Sequence, residues 1–170
     1  MEFALLPVEK SELKEYKDIA QEAFQKGFEA KFGQTDTVIL PEKDLDNALN
    51  QKGAIAYKAM IDGEMVGGAI IATDAATQSG HLDFLFIKYG VQSRGIGKAI
   101  WFEIEKKHPE IKKWEAYTPY FEKRNIHFYI NVCGFHITAF YHEKYPMPNP
   151  PEDFHGDGEE SMFLFEKDLG

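Results

Sequence analysis

The chain has 170 residues and is 44% hydrophobic, which suits a single domain over 1–170 with a sizeable core. Its formal net charge of -9, from 28 acidic and 19 basic residues, repels nucleic acid on average, so no nucleic-acid partner is expected. No uncharged apolar run reaches the roughly 18 residues that a membrane span needs.

The first residues read MEFALLPVEKSEL, with early acids and no basic flank before an apolar run. That argues against a secretory signal and for the cytoplasm. Cys133 is the only cysteine, so neither an internal disulfide nor a multi-cysteine zinc site can form. The six histidines are dispersed without an HExxH pair, and no metal is expected.

In chain order, EFALLPV alternates loosely and predicts a first strand. Ser11 can cap a helix in which Leu13, Tyr16, Ala20 and Ala23/Phe24 share a face, weakened or ended by Gly27 and Gly33. Pro41 suits the first turn of a second helix, PEKDLDNALNQ. Two strands follow, AIAYKAMI and EMVGGAIIAT, joined by the hairpin signal Asp62-Gly63. Gly67 and Gly68 inside the second strand suggest a bulge or a close backbone approach.

HLDFLFIK then reads as a third strand of this run, YGVQSRGIG as a loop, and KAIWFEIEKKH as a helix stopped by Pro109. The pattern repeats as strand KWEAYTP, a helix from about 122 to 132, and strand FHITAFYHE. YPMPNPPEDFHGDGEE, with four prolines and two glycines, cannot be regular, and MFLFEKDL closes the chain as a strand. Antiparallel strands followed by strand–helix–strand units predict an α/β (α+β mixed) fold: a central mixed sheet flanked by helices.

The segment with most chemistry is Gln92-Ser93-Arg94-Gly95-Ile96-Gly97, between an apolar strand and a helix. Glycines let a backbone approach phosphate oxygens, free N–H groups donate to them, and the helix dipole adds positive charge. Arg94 and Lys98 bring full charges. Neither a GxGxxG nor a GxxxxGK[ST] pattern is present, and over six residues alone a plain strand-to-helix turn looks the same.

In this context the chain resembles the GNAT superfamily of N-acetyltransferases. Its Q/R-x-x-G-x-G/A motif is matched by Gln92, Gly95 and Gly97, and NIHFYINVCGF resembles the family's aromatic-rich helix ending in Gly-Phe. The motifs lie about 30 residues apart, and the order of elements agrees from about residue 3 to 168. The resemblance implies a GNAT-like splayed sheet and acetyl-CoA as donor, with its pyrophosphate on backbone N–H groups from Ser93 to Lys98. It also implies that Phe86 and Ile87 pair with the pantetheine arm and that Asn125 lies near the pantetheine or CoA sulfur.

Direct acetyl transfer needs a neutral amine, a polarised thioester and a proton for the departing thiolate. The resemblance makes Tyr129 the proton donor and leaves Tyr141 in reserve. One departure matters: the family's FYxxxGF is here FYINVCGF, one residue longer. If the helix keeps its usual end, Ile130 takes the tyrosine's place and Tyr129 turns away by about 100°. For a general base, His81 and Asp83 lie two apart on one strand face, resembling an ionisable pair in some family members. Asp83 is the candidate, Glu115 a further one, and a plain hydrogen-bonded strand residue explains Asp83 equally well.

The acceptor is expected to be an amine, on a small molecule or a peptide. Five acids between 145 and 160, namely Glu152, Asp153, Asp157, Glu159 and Glu160, favour a small cationic one, with Tyr145 and Phe154 as rings for an ammonium. A homodimer stays open, as do a regulatory domain that binds acetyl-CoA without turnover and a relative using another acyl donor.

Overall fold

The computed structural model describes residues 2–91, 95–120, 122–148 and 161–170. They form two compact units, Met1–Thr73 with Leu82–His108, and Asp74–His81 with Pro109–Gly170.

The first unit contains β1 (Phe3–Pro7), α1 (Leu13–Phe32), α2 (Glu42–Leu49), β2 (Ala54–Ile61), β3 (Glu64–Asp74), most of β4 (Ser79–Ile87) and α3 (Ile96–Lys107). Its strands neighbour one another in the order β1-β2-β3-β4, and β1 and β3 both run antiparallel to β2. At the β2–β3 hairpin Asp62 and Gly63 both have positive φ, 51° and 82°, as a type I′ turn requires.

The core of this unit forms where α1 lays Tyr16, Ile19 and Ala20 beside Leu45 and Ala48 of α2 and Ile70 and Phe86 of the strands. Fully burying a side chain of this size stabilises by about 1.5–3 kcal/mol. Tyr16 brings a polar tip into that core, and its hydroxyl donates to the Tyr57 carbonyl at 3.0 Å, with the Ala69 carbonyl at 3.1 Å. Its ring meets Phe86 edge-on at 5.2 Å.

Two expectations are corrected here, for Ser11 and Pro41, and the glycines of the first helix divide their roles. Ser11 is no cap: Lys10–Glu12 forms a 3-10 turn, closed by Glu12 Oε1 accepting from the Glu9 amide at 3.0 Å. The first helix runs through Gly27, where a side chain would meet nothing within 4 Å, and stops at Gly33 with φ +91°. Pro41 precedes the second helix as its N-cap.

The glycine pair in β3 does mark close approach. A Cβ on Gly67 would sit 2.4 Å from the Phe86 carbonyl oxygen, and one on Gly68 would meet the Tyr57 carbonyl at 2.5 Å and the Tyr16 ring at 2.7 Å. The register also shifts here, between Ala59 and Met60 of β2.

The second unit holds the start of β4, β5 (Lys113–Pro119), α4 (Lys123–His127), a π-helical turn (Phe128–Val132), β6 (His136–Tyr141) and β7 (Met162–Asp168). Its strands take the order β5-β7-β6, with β7 antiparallel to both neighbours. Period-two alternation sends Trp114, Ala116 and Thr118 inward, and leaves Lys113 exposed and Glu115 and Tyr117 half-buried on the other face. The expected helix over 122–132 is therefore two pieces, a single α-turn and a π-turn. Among the described residues, seven strands with helices give the mixed α/β class that the sequence predicts.

Candidate functional site

In the first unit the site begins where β4 gives way to α3. Gly95 caps the helix in the left-handed conformation, φ 70° and ψ 6°, which favours glycine. Ile96 and Gly97 are buried and Lys98 is exposed. The first intrahelical bond runs from the Ala99 amide to the Gly95 carbonyl at 2.9 Å. The amides of residues 96–98 therefore precede the helical ladder. Among the described residues no side chain caps this end, and no acid lies in the first turn. A bare helix N-terminus followed by a lysine suits an anion. Gln92, Ser93 and Arg94 lie outside the described residues.

At the end of β4, Phe86 is buried, with its ring on Tyr16 and its carbonyl oxygen against Gly67. Ile87 is half-buried, and the following Lys88 amide donates to Val66 of β3 at 2.8 Å. Asp83 is held by a neighbour that the sequence did not suggest: Gln51 Nε2 donates to its Oδ2 at 2.8 Å and lies 3.1 Å from the Ala48 carbonyl. A surface depression of about 490 Å³ in this unit is lined by α1 residues such as Lys14 and Asp18 and by Lys88, with no contribution from α3.

In the second unit Tyr129 is buried in an aromatic shell, 5.5 Å from Phe135, 5.3 Å from Phe165 and 5.6 Å from Phe128 between ring centroids. Burial pushes its phenol far above the usual range and the neighbouring Cys133 adds to this, while a hydrogen bond with Thr118 opposes it. The group is thus a neutral donor at any ordinary pH. Ile130 is only half-buried, so Tyr129 and not Ile130 holds the inward position. Thr118 was legible only as an inward residue of KWEAYTP, without a partner.

Asn125 is exposed on α4. His81 belongs to this second unit, with its ring 5.6 Å from Tyr117, and Tyr141 stacks on Tyr145 at 5.8 Å. Of the acidic stretch, residues 149–160 lie outside the described residues, and Glu152 to Glu160 and Phe154 with them. Among the described residues no group of three or more His, Cys, Asp or Glu side chains is placed to hold a metal ion. None of the described helices is long and apolar enough to cross a membrane.

The acetyltransferase (GNAT) domain profile matches residues 15–118, more than half of the chain and inclusive of the Gly95–Gly97 turn. The chain belongs to the GNAT acetyltransferase family. A relative in Bacillus subtilis (strain 168), the uncharacterized protein YrkN, is 39% identical over 140 residues, 82% of this chain and 76% of that one. The GNAT fold also matches solved structures at low identity. The ribosomal-protein-S18-alanine N-acetyltransferase of Escherichia coli superposes with a TM-score of 0.72 at 14% identity, over 99% of this chain and 94% of that one. A GNAT family acetyltransferase of Elizabethkingia anophelis, solved with acetyl-CoA bound, gives 0.70 at 18% identity over 98% of both chains. These two likenesses establish the fold. The GNAT profile ends at Thr118, so the π-turn and the last two strands lie beyond the matched segment.

Proposed function

We propose that this GNAT domain is a cytoplasmic N-acetyltransferase that moves an acetyl group from acetyl-CoA directly to a primary amine, with small cationic amines the favoured acceptors. The observation that carries the reading is the N-terminus of α3 behind a left-handed Gly95, acid-free in its first turn and without a side-chain cap among the described residues. Backbone N–H groups there would hold the pyrophosphate, with Lys98 and the sequence neighbours Gln92, Ser93 and Arg94 around them. Ile87 would offer the strand backbone to the pantetheine arm, while Phe86 fixes the strand end through Gly67 and Tyr16. Asn125, exposed on α4, would face the sulfur side of the thioester.

Acetyl-CoA supplies an acyl group activated by a good leaving group. The amine lone pair forms the new C–N bond, the C–S bond breaks, and the sulfur leaves with the electron pair. What the protein adds is proton handling. Asp83, positioned by Gln51, would take the N–H proton that the amine nitrogen sheds as its C–N bond forms, directly or through water. Tyr129, neutral because it is buried, would donate toward the departing sulfur.

Thermal stabilisation by acetyl-CoA tests the binding half. Gly97→Trp fills the space against the helix start and should abolish the stabilisation. Arg94→Ala should lose less, with a contribution that shrinks as salt rises. Undiminished acetyl-CoA affinity in Gly97→Trp would end the reading.

A further inference from the structure

We infer that the open face of β5 and β6 in the second unit is a cation-binding face, on which Tyr117, Tyr141 and Glu115 recognise an organic ammonium. This rests on the acetyl-transfer reading only in making that ammonium part of the acceptor.

The face is what remains after β5 has sent Trp114, Ala116 and Thr118 into the core. Four rings follow one another across it. His81 lies 5.6 Å from Tyr117, Tyr117 lies 6.4 Å from Tyr141, and Tyr141 stacks nearly parallel on Tyr145, at 5.8 Å and 8°. Tyr145 is 60% exposed, and Tyr117, Tyr141 and His81 are half-buried, so this row is open to a ligand. A cation resting on the exposed side of this row would meet more than one ring, and a cation is attracted to ring faces within about 6 Å of a centroid.

Charge decides which ligand. Glu115 precedes Tyr117 by two residues on the same strand face, and Glu166 stands directly opposite Glu115 in register. Lys113, on the same strand face, pairs with Glu166, and Glu115 and Asp168 add to the negative field that holds its ammonium charged. Thr138 adds a hydrogen bond to Glu166, and His136 stands opposite that residue on β6. The Tyr117 phenol is pushed up by burial first, then by Glu115, Tyr141 and Glu166, which is how a ring in a negative field behaves. A flat neutral ring could stack on the tyrosines but would gain nothing from the carboxylates, and a phosphorylated ligand would be repelled. An alkylammonium satisfies both.

The test uses tetramethylammonium, which has no N–H and cannot be acetylated, beside tert-butanol as a neutral probe of similar size. Titration calorimetry on the full chain should show binding of the cation and not of the alcohol. Tyr117→Leu should weaken it about tenfold, whereas Tyr117→Phe, which keeps the ring, should stay within about twofold. Glu115→Gln removes charge with little change in shape and should weaken binding about threefold at low salt, which keeps the test valid if the leucine variant does not fold. With propylamine as acceptor, tetramethylammonium should compete in thiol release from acetyl-CoA.

No tetramethylammonium binding by the wild type, equal binding of the alcohol, equal affinity in Glu115→Gln and wild type, or non-competitive behaviour toward propylamine would each overturn the proposal. Failure of the wild type to bind acetyl-CoA would instead sink the transfer reading and leave the calorimetric result standing by itself.

Discussion

The amide of Cys133 donates to the carbonyl of Phe128 at 2.9 Å, five residues back, where an α-helix would reach four. The next bond is stretched in the same way. The Phe135 amide reaches the Tyr129 carbonyl at 2.8 Å, six residues back, around Gly134 at φ +86°. In a helix of the family's FYxxxGF spacing, the same glycine-capped ending joins the final Phe amide to the Tyr carbonyl five residues back. The π-turn therefore absorbs the one extra residue of FYINVCGF, and Tyr129 keeps both its place in the cap and its inward direction.

Deleting one residue from the π-turn should therefore be tolerated. Asn131 is exposed, and its side chain gives only a 2.9 Å contact with His127 Nδ1. Its removal restores the family spacing, so the variant should fold, with a Tm within a few degrees of wild type and kcat within about tenfold. Removing Glu103 from the regular helix α3 should instead turn everything after it by about 100°, pulling buried Ile104 out of the core, and should unfold the chain. Circular dichroism melts of the two deletions compare them. Equal loss of structure in both would mean that the π-turn is not an absorbed insertion.

Two glycine substitutions should act with opposite sign. Gly67→Ala drives a Cβ toward the Phe86 carbonyl, 2.4 Å away, so the end of β4 must shift. Overpacking of this kind costs about 1–3 kcal/mol, and about 2–4 °C of Tm is lost per kcal/mol in a chain of this size. Stabilisation by acetyl-CoA should fall as well, because the displaced strand end carries Ile87. Gly27→Ala, inside α1 with nothing within 4 Å, should raise stability by about 0.5–1 kcal/mol. A Gly67→Ala variant with unchanged Tm and acetyl-CoA response would contradict the close approach.

These positions show what the sequence can and cannot tell. Asp62-Gly63 was readable because a type I′ turn is a property of two adjacent residues, and Gly95 because its role at the helix start is equally local. Of the two glycines expected to weaken or end α1, Gly33 ends it and Gly27 does not, because helix propensity is weaker than the burial of Tyr16, Ile19 and Ala20 that holds α1 together. Ser11 lost the cap to Glu9 and Glu12, whose backbone-to-carboxylate bond closes the turn first. Gln51 and Asp83 are 32 residues apart, and the rings of His81, Tyr117, Tyr141 and Tyr145 come from three strands and a turn. No periodicity within one segment encodes such meetings.

The buried phenol of Tyr129, the proposed proton donor, also bears on alkaline stability. In the unfolded chain a tyrosine loses its proton near pH 10. In the folded chain burial holds the proton on Tyr129 well beyond that, and burial does the same for Tyr16. Above pH 10 the unfolded state thus binds fewer protons than the native one. The stabilisation is complete below that pH and is lost as pH rises, by up to about 1.4 kcal/mol per unit for each such tyrosine. Tyr129→Phe removes one such group, so urea melts between pH 9 and 11.5 should show a shallower decline than wild type. At pH 8 the same variant keeps the ring packing against Phe135 and Phe165 and lacks only the hydroxyl. If that hydroxyl protonates the leaving sulfur, kcat should fall roughly 10–1000-fold with acetyl-CoA affinity unchanged. The two readouts are independent. A shallower alkaline slope with normal kcat would keep Tyr129 as a core residue and pass the proton to Tyr141 or to water, and an unaltered slope would contradict the burial itself.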